Sequence, residues 1–97
     1  MINRIVKMTF KPEEINNFLS LFEQVKDLIK ACDGCLHLEL WLQTGNKNVL
    51  FTFSQWISEE HLNNYRHSLL FEDTWAKTKS LFAAKPEAWS VEQLVSS

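Results

Sequence analysis

The residues best suited to chemistry lie close together between Phe51 and Phe82. This stretch brings together two indoles, two imidazoles and a phenol, at Trp56, His61, Tyr65, His67 and Trp75. Such side chains can stack on a planar ligand, donate hydrogen bonds to it or exchange protons with it. We therefore expect this stretch to supply one wall of any binding or catalytic site.

The histidines of this stretch do not form a metal or catalytic pair. His61 and His67 are six residues apart, a spacing that places them on different faces of a helix. The H-E-x-x-H motif of zinc proteases is absent. We interpret both histidines as solvent-exposed helix residues.

Cys32 and Cys35 have the C-x-x-C spacing of many redox and zinc sites. A thioredoxin-like pair lies at the start of a helix, where the helix dipole lowers the pKa of the thiol. Here the pair follows a helical pattern and enters a strand. Only His37 is close enough to add a ligand, so four zinc ligands are missing. We interpret the two cysteines as ordinary buried thiols and expect no metal.

His37 and Glu39 share one face of a predicted strand. A carboxylate at this distance could raise the pKa of the imidazole. A polar pair within a subunit interface explains the same pattern equally well. We keep both interpretations and include His37 among the candidate substrate-binding residues.

The hydrophobic periodicity predicts the elements that position these residues. A period of two predicts strands at residues 1–10, 35–43, 49–57 and 87–95. A period of three to four predicts a helix at residues 14–31 and a second helix split into pieces at 59–66 and 69–83. The order β-α-β-β-α-β predicts an α+β, ferredoxin-like fold, with helices on one face of an antiparallel sheet. The length fits a single domain over residues 1–97.

Both faces of the predicted sheet carry large apolar side chains. Leu50 and Trp56 share one face of the third strand, whereas Phe51 and Phe53 lie on the other. Helices can cover only one of these faces. An exposed apolar face needs a cover, and a second copy of the chain is the simplest one. We expect a homodimer joined partly sheet to sheet; the alternative is a monomer with one half-polar face.

Composition excludes several classes of partner. The formal net charge is −2 and no basic block is present, so neither nucleic acid nor a membrane surface is expected to bind. The first ten residues include Arg4 and Lys7, which interrupt the apolar run that a signal peptide needs. We expect a cytoplasmic protein.

Several short motifs point to a known family. They are Asp33-Gly34-Cys35 before the second strand, Trp56 at the end of the third, Ser58-Glu59-Glu60 at a helix start and the spacing Tyr65-x-x-Ser68-x-x-Phe71. This layout resembles the antibiotic biosynthesis monooxygenase domain of the dimeric α+β barrel superfamily. That family usually has Pro-Gly-Cys at the first place and His-x-x-Ser-x-x-Phe at the last, so Tyr65 replaces a common histidine.

The resemblance implies a cofactorless oxygenase, a small quinol oxidase or a heme-degrading enzyme. In heme-degrading members a helical histidine ligates the iron, and an asparagine and a tryptophan crowd the ring. Asn3 could match that asparagine, but Trp75 lies near the ligand position. Because an indole cannot ligate iron, heme degradation in the usual manner is disfavoured.

The favoured hypothesis is a cofactor-independent monooxygenase that acts on a small aromatic phenol or quinol with molecular oxygen. Trp56 and Trp75 would stack on the substrate, Tyr65 and Asn64 would hydrogen-bond its phenolic oxygens, and Arg4 would stabilise its negative charge. The alternative is a non-enzymatic dimeric module that binds a small aromatic molecule or heme. Aromatic residues at helical spacing are also commonly part of a core, which leaves open whether this region is hollow or filled.

Overall fold

Four strands form one antiparallel sheet in the computed structural model, which describes residues 1–97. They are β1 (Ile2–Thr9), β2 (Cys35–Leu42), β3 (Val49–Trp56) and β4 (Glu87–Val91). Their order across the sheet is β2-β3-β1-β4, and each neighbouring pair is antiparallel. This arrangement confirms the predicted ferredoxin-like α+β fold.

Three helices cover one face of this sheet. A 3₁₀ turn at Pro12–Glu14 leads into α1 (Ile15–Lys30), and α2 (Glu59–Arg66) and α3 (Leu69–Lys79) follow β3. Alternate residues of the strands face these helices, because successive side chains of a strand point to opposite faces. None of the helices combines the length and apolarity needed to span a lipid bilayer.

Two serine caps explain why the second helical region is split. The Ser58 hydroxyl accepts a hydrogen bond from the His61 backbone N–H at the start of α2. Ser68 repeats this at the start of α3, where its hydroxyl accepts from the Phe71 N–H at 3.1 Å. Ser68 itself is extended, with φ of −81° and ψ of 156°. The predicted split between α2 and α3 is confirmed.

Two predicted ends were wrong. The last strand ends at Val91, which pairs with Asn3, rather than at residue 95. The pairing of β4 with β1 extends from Glu87, opposite Lys7, to Val91 and does not continue beyond it. The third helix ends at Lys79 rather than at residue 83, because Ala83 instead donates its N–H to the Thr9 carbonyl at 2.9 Å.

The best-packed part of the core lies beside α1. Met8, Phe10, Phe18 and Leu50 form a fully buried cluster, and Phe10 and Phe18 stack with ring centroids 4.4 Å apart. Not every leucine of α1 and β2 is buried. Leu19, Leu28, Leu36 and Leu42 remain exposed. For Leu36 the cause is local, since a bulge between Cys35 and His37 interrupts the register of β2 with β3.

The sheet face opposite the helices is open and carries aromatic residues. Trp41 and Trp89 are 41% and 44% exposed, and the Trp41 ring stacks on Phe53 with centroids 4.9 Å apart. We refer to this surface as the open sheet face. Its composition matches the apolar face that the sequence predicted.

Two glycines provide a matched test of local packing. Gly34 and Gly45 both have positive φ, +83° and +85°. A Cβ at Gly34 would overlap the His61 side chain, whereas a Cβ at Gly45 would meet nothing. We expect Gly45→Ala to cost about 1–2 kcal/mol from backbone strain alone. We expect Gly34→Ala to cost about 1–3 kcal/mol more, from the steric overlap.

Urea unfolding followed by circular dichroism measures both costs. The double variant Gly34→Ala/His61→Gly, compared with His61→Gly alone, should show a smaller loss for Gly34→Ala, because glycine also removes the overlapping His61 Cβ. Equal destabilisation by the two alanines would contradict the close packing of Gly34 on His61.

Candidate active site

A partly open cavity of about 290 Å³ lies between the helix-facing side of the sheet and the three helices. Its wall is mostly apolar, with polar groups at a few positions. The polar positions are Arg4, Thr52, Ser54, Tyr65, Arg66, Thr74 and Thr78. Small-molecule sites typically enclose about 300–1,000 Å³ and combine an apolar wall with a few polar groups. The space is therefore hollow and of a size that suits a small ligand.

Aromatic rings form a continuous row along this cavity. The Tyr65 ring stacks on Trp56 with centroids 4.9 Å apart and an interplanar angle of 22°. Phe71 meets the edge of Tyr65 at 5.3 Å and stacks on Trp75 at 5.8 Å. Trp56, Tyr65 and Trp75 thus line one cavity, as the sequence suggested. Phe71, which links them, was named from the sequence as part of the family motif but not as a site residue.

The ring of Trp56 lines the cavity, whereas its N–H group is bound within the protein. It is completely buried, and its indole N–H donates a hydrogen bond to the Ser54 hydroxyl at 3.0 Å. A buried indole N–H needs an acceptor, and here the neighbouring strand residue supplies it. The orientation of the ring is therefore set within the protein before any ligand binds.

Tyr65 presents a neutral phenol to the cavity. Burial raises the pKa of its hydroxyl well above the ordinary value, and the nearby Cys32 and Cys35 thiols raise it further. The group therefore remains protonated at any physiological pH and can donate a hydrogen bond. It is not a base at neutral pH.

Arg4 and Arg66 are the only arginines of the chain, and both line this cavity. Arg4 is half-buried and donates from Nη1 to the Ser90 hydroxyl at 3.1 Å. Burial and the positive charge of Arg66 together lower the pKa of Arg4. Arg66 was not predicted from the sequence as a site residue, although its position four residues after the buried Leu62 places both on one side of α2.

Not every candidate residue reaches the cavity. Asn64 is exposed and does not line it. His37 points to the open sheet face, because the next residue, Leu38, faces the cavity. Asn3 lies on the open sheet face for the same reason, since its neighbour Arg4 faces inward. The structure thus separates His37 and Asn64 from the cavity-lining residues, although the sequence had placed all of them at one site.

On the open sheet face, Glu39 joins two ring systems. Its carboxylate contacts the His37 imidazole and accepts a hydrogen bond from the Trp41 indole at 2.7 Å. The hydrogen bond from Trp41 lowers the pKa of Glu39 most, and the contact with His37 lowers it further. The predicted pairing of His37 with Glu39 is present, at some distance from the cavity.

The histidines of α2 differ in environment. His61 was expected to be solvent-exposed, but its ring lies against Gly34 and its Nδ1 is 2.7 Å from the Ser58 hydroxyl. His67 is exposed, and its Nδ1 is 2.7 Å from the Asn63 carbonyl oxygen. Neither ring lines the cavity.

The C-x-x-C segment forms a tight turn beside Tyr65. The Cys35 N–H donates to the Cys32 carbonyl at 3.0 Å, and both thiols are half-buried and free. Burial raises the pKa of each thiol. Because the thiolate is the reactive form, this environment suppresses thiol chemistry. No group of three or more possible metal ligands occurs in the structure.

Comparison with known proteins places this architecture in a family. The sequence profile described as antibiotic biosynthesis monooxygenase matches residues 1–77. The chain belongs to this family. Its similarity to solved structures extends over nearly the whole chain, at low sequence identity.

Three structures illustrate that similarity. A crystal structure described as an antibiotic biosynthesis monooxygenase has a TM-score of 0.91 at 15% identity, covering 98% of this chain and 100% of its own. A conserved protein from Methanosarcina mazei Go1 has a TM-score of 0.90 at 18% identity, covering 95% and 91%. Rv0793 from Mycobacterium tuberculosis has a TM-score of 0.89 at 18% identity, covering 98% and 96%. At these identities the comparisons establish the fold.

One similar protein has a name that mentions heme. The "Putative heme-binding protein NP_2262A" of Natronomonas pharaonis is 28% identical over 78 residues. The match covers 80% of the present chain but only 13% of the length of the archaeal protein.

The buried phenol gives a direct spectroscopic prediction, because Tyr65 is the only tyrosine of the chain. The absorbance of the phenolate near 295 nm should show no transition near pH 10 while the protein stays folded. A raised pKa stabilises the fold below the ordinary pKa of tyrosine, and this contribution is lost as pH rises above it. Stability should therefore fall at alkaline pH.

The control for this titration is the same protein in guanidinium chloride, where the phenol should ionise near its ordinary pKa of about 10. Tyr65→Phe should remove the signal. A native transition centred near pH 10 would contradict the burial of this hydroxyl.

Proposed function

We propose that this protein is a cofactor-independent monooxygenase for a small aromatic phenol or quinol. The observation that carries the proposal is the aromatic-lined cavity, in which two arginines and a neutral tyrosine phenol are the strongest hydrogen-bond donors. Membership of the antibiotic biosynthesis monooxygenase family supports the same reading. A planar substrate would lie along the row formed by Trp56, Tyr65 and Trp75.

The proposed chemistry depends on the phenolate form of the substrate. A phenolate gives up electrons to oxygen far more readily than the neutral phenol does. In the overall reaction one oxygen atom enters the substrate, the other leaves as water, and the substrate supplies all four electrons. The protein binds and orients the ring, and Tyr65 and Arg4 donate hydrogen bonds to the developing oxyanion.

The cavity favours charge stabilisation over proton abstraction. No carboxylate, imidazole or amine lines it, and the Tyr65 phenol is not basic. The substrate proton therefore passes to solvent, and the positive charge of Arg4 lowers the pKa of the substrate. The rate should rise with pH and follow the ionisation of the substrate.

Oxygen uptake with a panel of dihydroxynaphthalene-type quinols tests this proposal. A hydrogen bond to a charged oxygen contributes about 1.5–3 kcal/mol, so we expect Tyr65→Phe to lower kcat/KM about tenfold to a hundredfold. This variant keeps the ring that stacks on Trp56. Trp75→Phe should also slow the reaction, whereas Trp89→Phe, on the open sheet face, is the matched control.

Oxygen uptake equal to that of buffer across the panel would reject the monooxygenase. The non-enzymatic alternative predicts a different outcome, in which aromatic ligands raise the melting temperature without turnover.

Heme is a second candidate ligand because of the name of the archaeal relative. The residues that line the cavity do not fit it. Heme iron is held by histidine, thiolate, methionine with histidine, or a deprotonated tyrosine. No histidine or cysteine lines this cavity, and Tyr65 holds its proton. Titration with hemin should therefore give no shifted Soret band.

We also propose that a second copy of the chain covers the open sheet face. This face presents a stacked pair, Trp41 and Phe53, and carries Trp89 on β4, the opposite edge strand, with Ile5 of β1 between Phe53 and Trp89. Apolar patches of this kind on a small domain are typical of protein interfaces. The His37–Glu39 pair would then lie within the interface.

Light scattering tests the dimer, which should have twice the 11.4 kDa mass of one chain. Trp41→Lys and Trp89→Lys should shift the mass toward one chain, because each places a charge in the apolar contact. Leu69→Lys is the control, since Leu69 is 83% exposed at the start of α3. A single-chain mass for the unmodified protein at micromolar concentration would contradict the proposal.

A further inference from the structure

The cavity holds two positive charges and no negative one. Arg4 reaches it from β1 and Arg66 from the end of α2, and no aspartate or glutamate lines it. The ion pairs of the structure involve lysine and histidine, and none of them involves an arginine. Two like charges beside an apolar wall repel each other, and an anion bound between them would relieve this repulsion.

Most N–H donors of the two guanidinium groups have no hydrogen-bond acceptor within the chain. Arginine carries five N–H donors in a planar fork that suits the two oxygens of a carboxylate. Arg4 uses one nitrogen for the Ser90 hydroxyl, which fixes the side chain on the sheet. Arg66 makes no side-chain hydrogen bond or ion pair within the chain. Both groups can therefore bind an oxyanion without giving up an acidic partner.

The positions of the two arginines also suggest an orientation. Arg66 is exposed and marks the mouth of the cavity, whereas Trp56 at the inner wall is completely buried. The row of rings from Trp56 to Trp75 suits a flat apolar body. A ligand with its ring toward Trp56 and an anionic group at the mouth would place the ring against the aromatic row and the charge beside Arg66.

From these observations we infer that the site binds planar aromatic acids, with Arg4 and Arg66 holding the carboxylate of the ligand. This inference rests on the proposed function only in that the ligand occupies the same cavity. It narrows the substrate class from phenols and quinols in general to those that also carry an acidic substituent.

The test compares two ligands of nearly the same shape, one with an anionic carboxylate and the other with a neutral amide. 2-Naphthoate and 2-naphthamide have the same ring system, and neither is a quinol, so oxygen chemistry does not enter the measurement. Isothermal titration of the full chain gives the Kd of each. Because charge-assisted hydrogen bonds are the stronger ones, we expect naphthoate to bind at least about tenfold more tightly than naphthamide. Added salt should weaken the binding of naphthoate and leave that of naphthamide unchanged.

The variants assign this preference to the two arginines. Arg66→Gln should weaken naphthoate about tenfold and leave naphthamide within about twofold. It lies at an exposed helix end, so the fold should tolerate it, and Arg4→Lys tests the half-buried partner with the charge retained but the fork removed. Lys47→Gln, in the exposed β2–β3 loop, removes one positive charge elsewhere and is the control for net charge.

Three results would overturn the inference: equal affinity for the two ligands, an equal loss for both in Arg66→Gln, or no measurable binding of either. These outcomes are separable from those of the oxygenase test. A preference for naphthoate without oxygen uptake on any quinol supports this inference and rejects the monooxygenase. Turnover of neutral quinols without any preference for naphthoate supports the monooxygenase and rejects this inference.

Discussion

Trp56 is the residue on which the rest of the site depends. It ends β3, pairs with Ile2 of β1 and with Cys35 of β2, and is completely buried. Its indole N–H is bound by Ser54 and its ring is stacked on Tyr65. Burial of a ring of this size contributes a large share of the stability of a small domain. The same contact fixes the position of α2, and hence of Arg66, relative to the sheet.

The helix-facing side of the sheet divides into a packed half and a hollow half. Along β3 the inward residues run from Leu50 through Thr52 and Ser54 to Trp56. At the Leu50 end, Met8 and Phe18 complete a tightly packed cluster. Toward the other end the short polar side chains of β3 leave space unfilled, and the cavity extends over them from Met8 and Phe18, which also form part of its wall. The packed half can stabilise the fold while the other half is left open for a ligand.

Chemistry in this family depends on which groups line that hollow half, since one fold can host several reactions. In this chain the lining contains arginine and a protonated tyrosine but no imidazole or thiol. That set suits the stabilisation of an oxyanion and not the ligation of iron. The similarity to a protein named for heme binding therefore extends to the fold more readily than to the ligand.

Much of the fold was predictable because local periodicity reflects burial. The alternation along β3 and the stripe along α1 identified the elements, and Ser58 and Ser68 identified the helix starts, since capping involves only neighbouring residues. The ends at Lys79 and Val91 were missed because each depends on distant backbone, the end of β1 in one case and its start in the other. A local pattern contains no information about how far pairing with a distant strand extends.

The site shows the same division. Residue types alone indicated that Trp56, Tyr65, Trp75 and Arg4 belong together, and all four line the cavity. Only the tertiary structure separated His37 and Asn64 from them, and only it brought in Arg66, because strand register and helix rotation decide which side of an element faces inward. The cavity itself could not be predicted from the sequence either, because an aromatic stripe has the same spacing whether its rings fill a core or line a cavity. That distinction depends on the distance between helices and sheet, which packing across the whole domain determines.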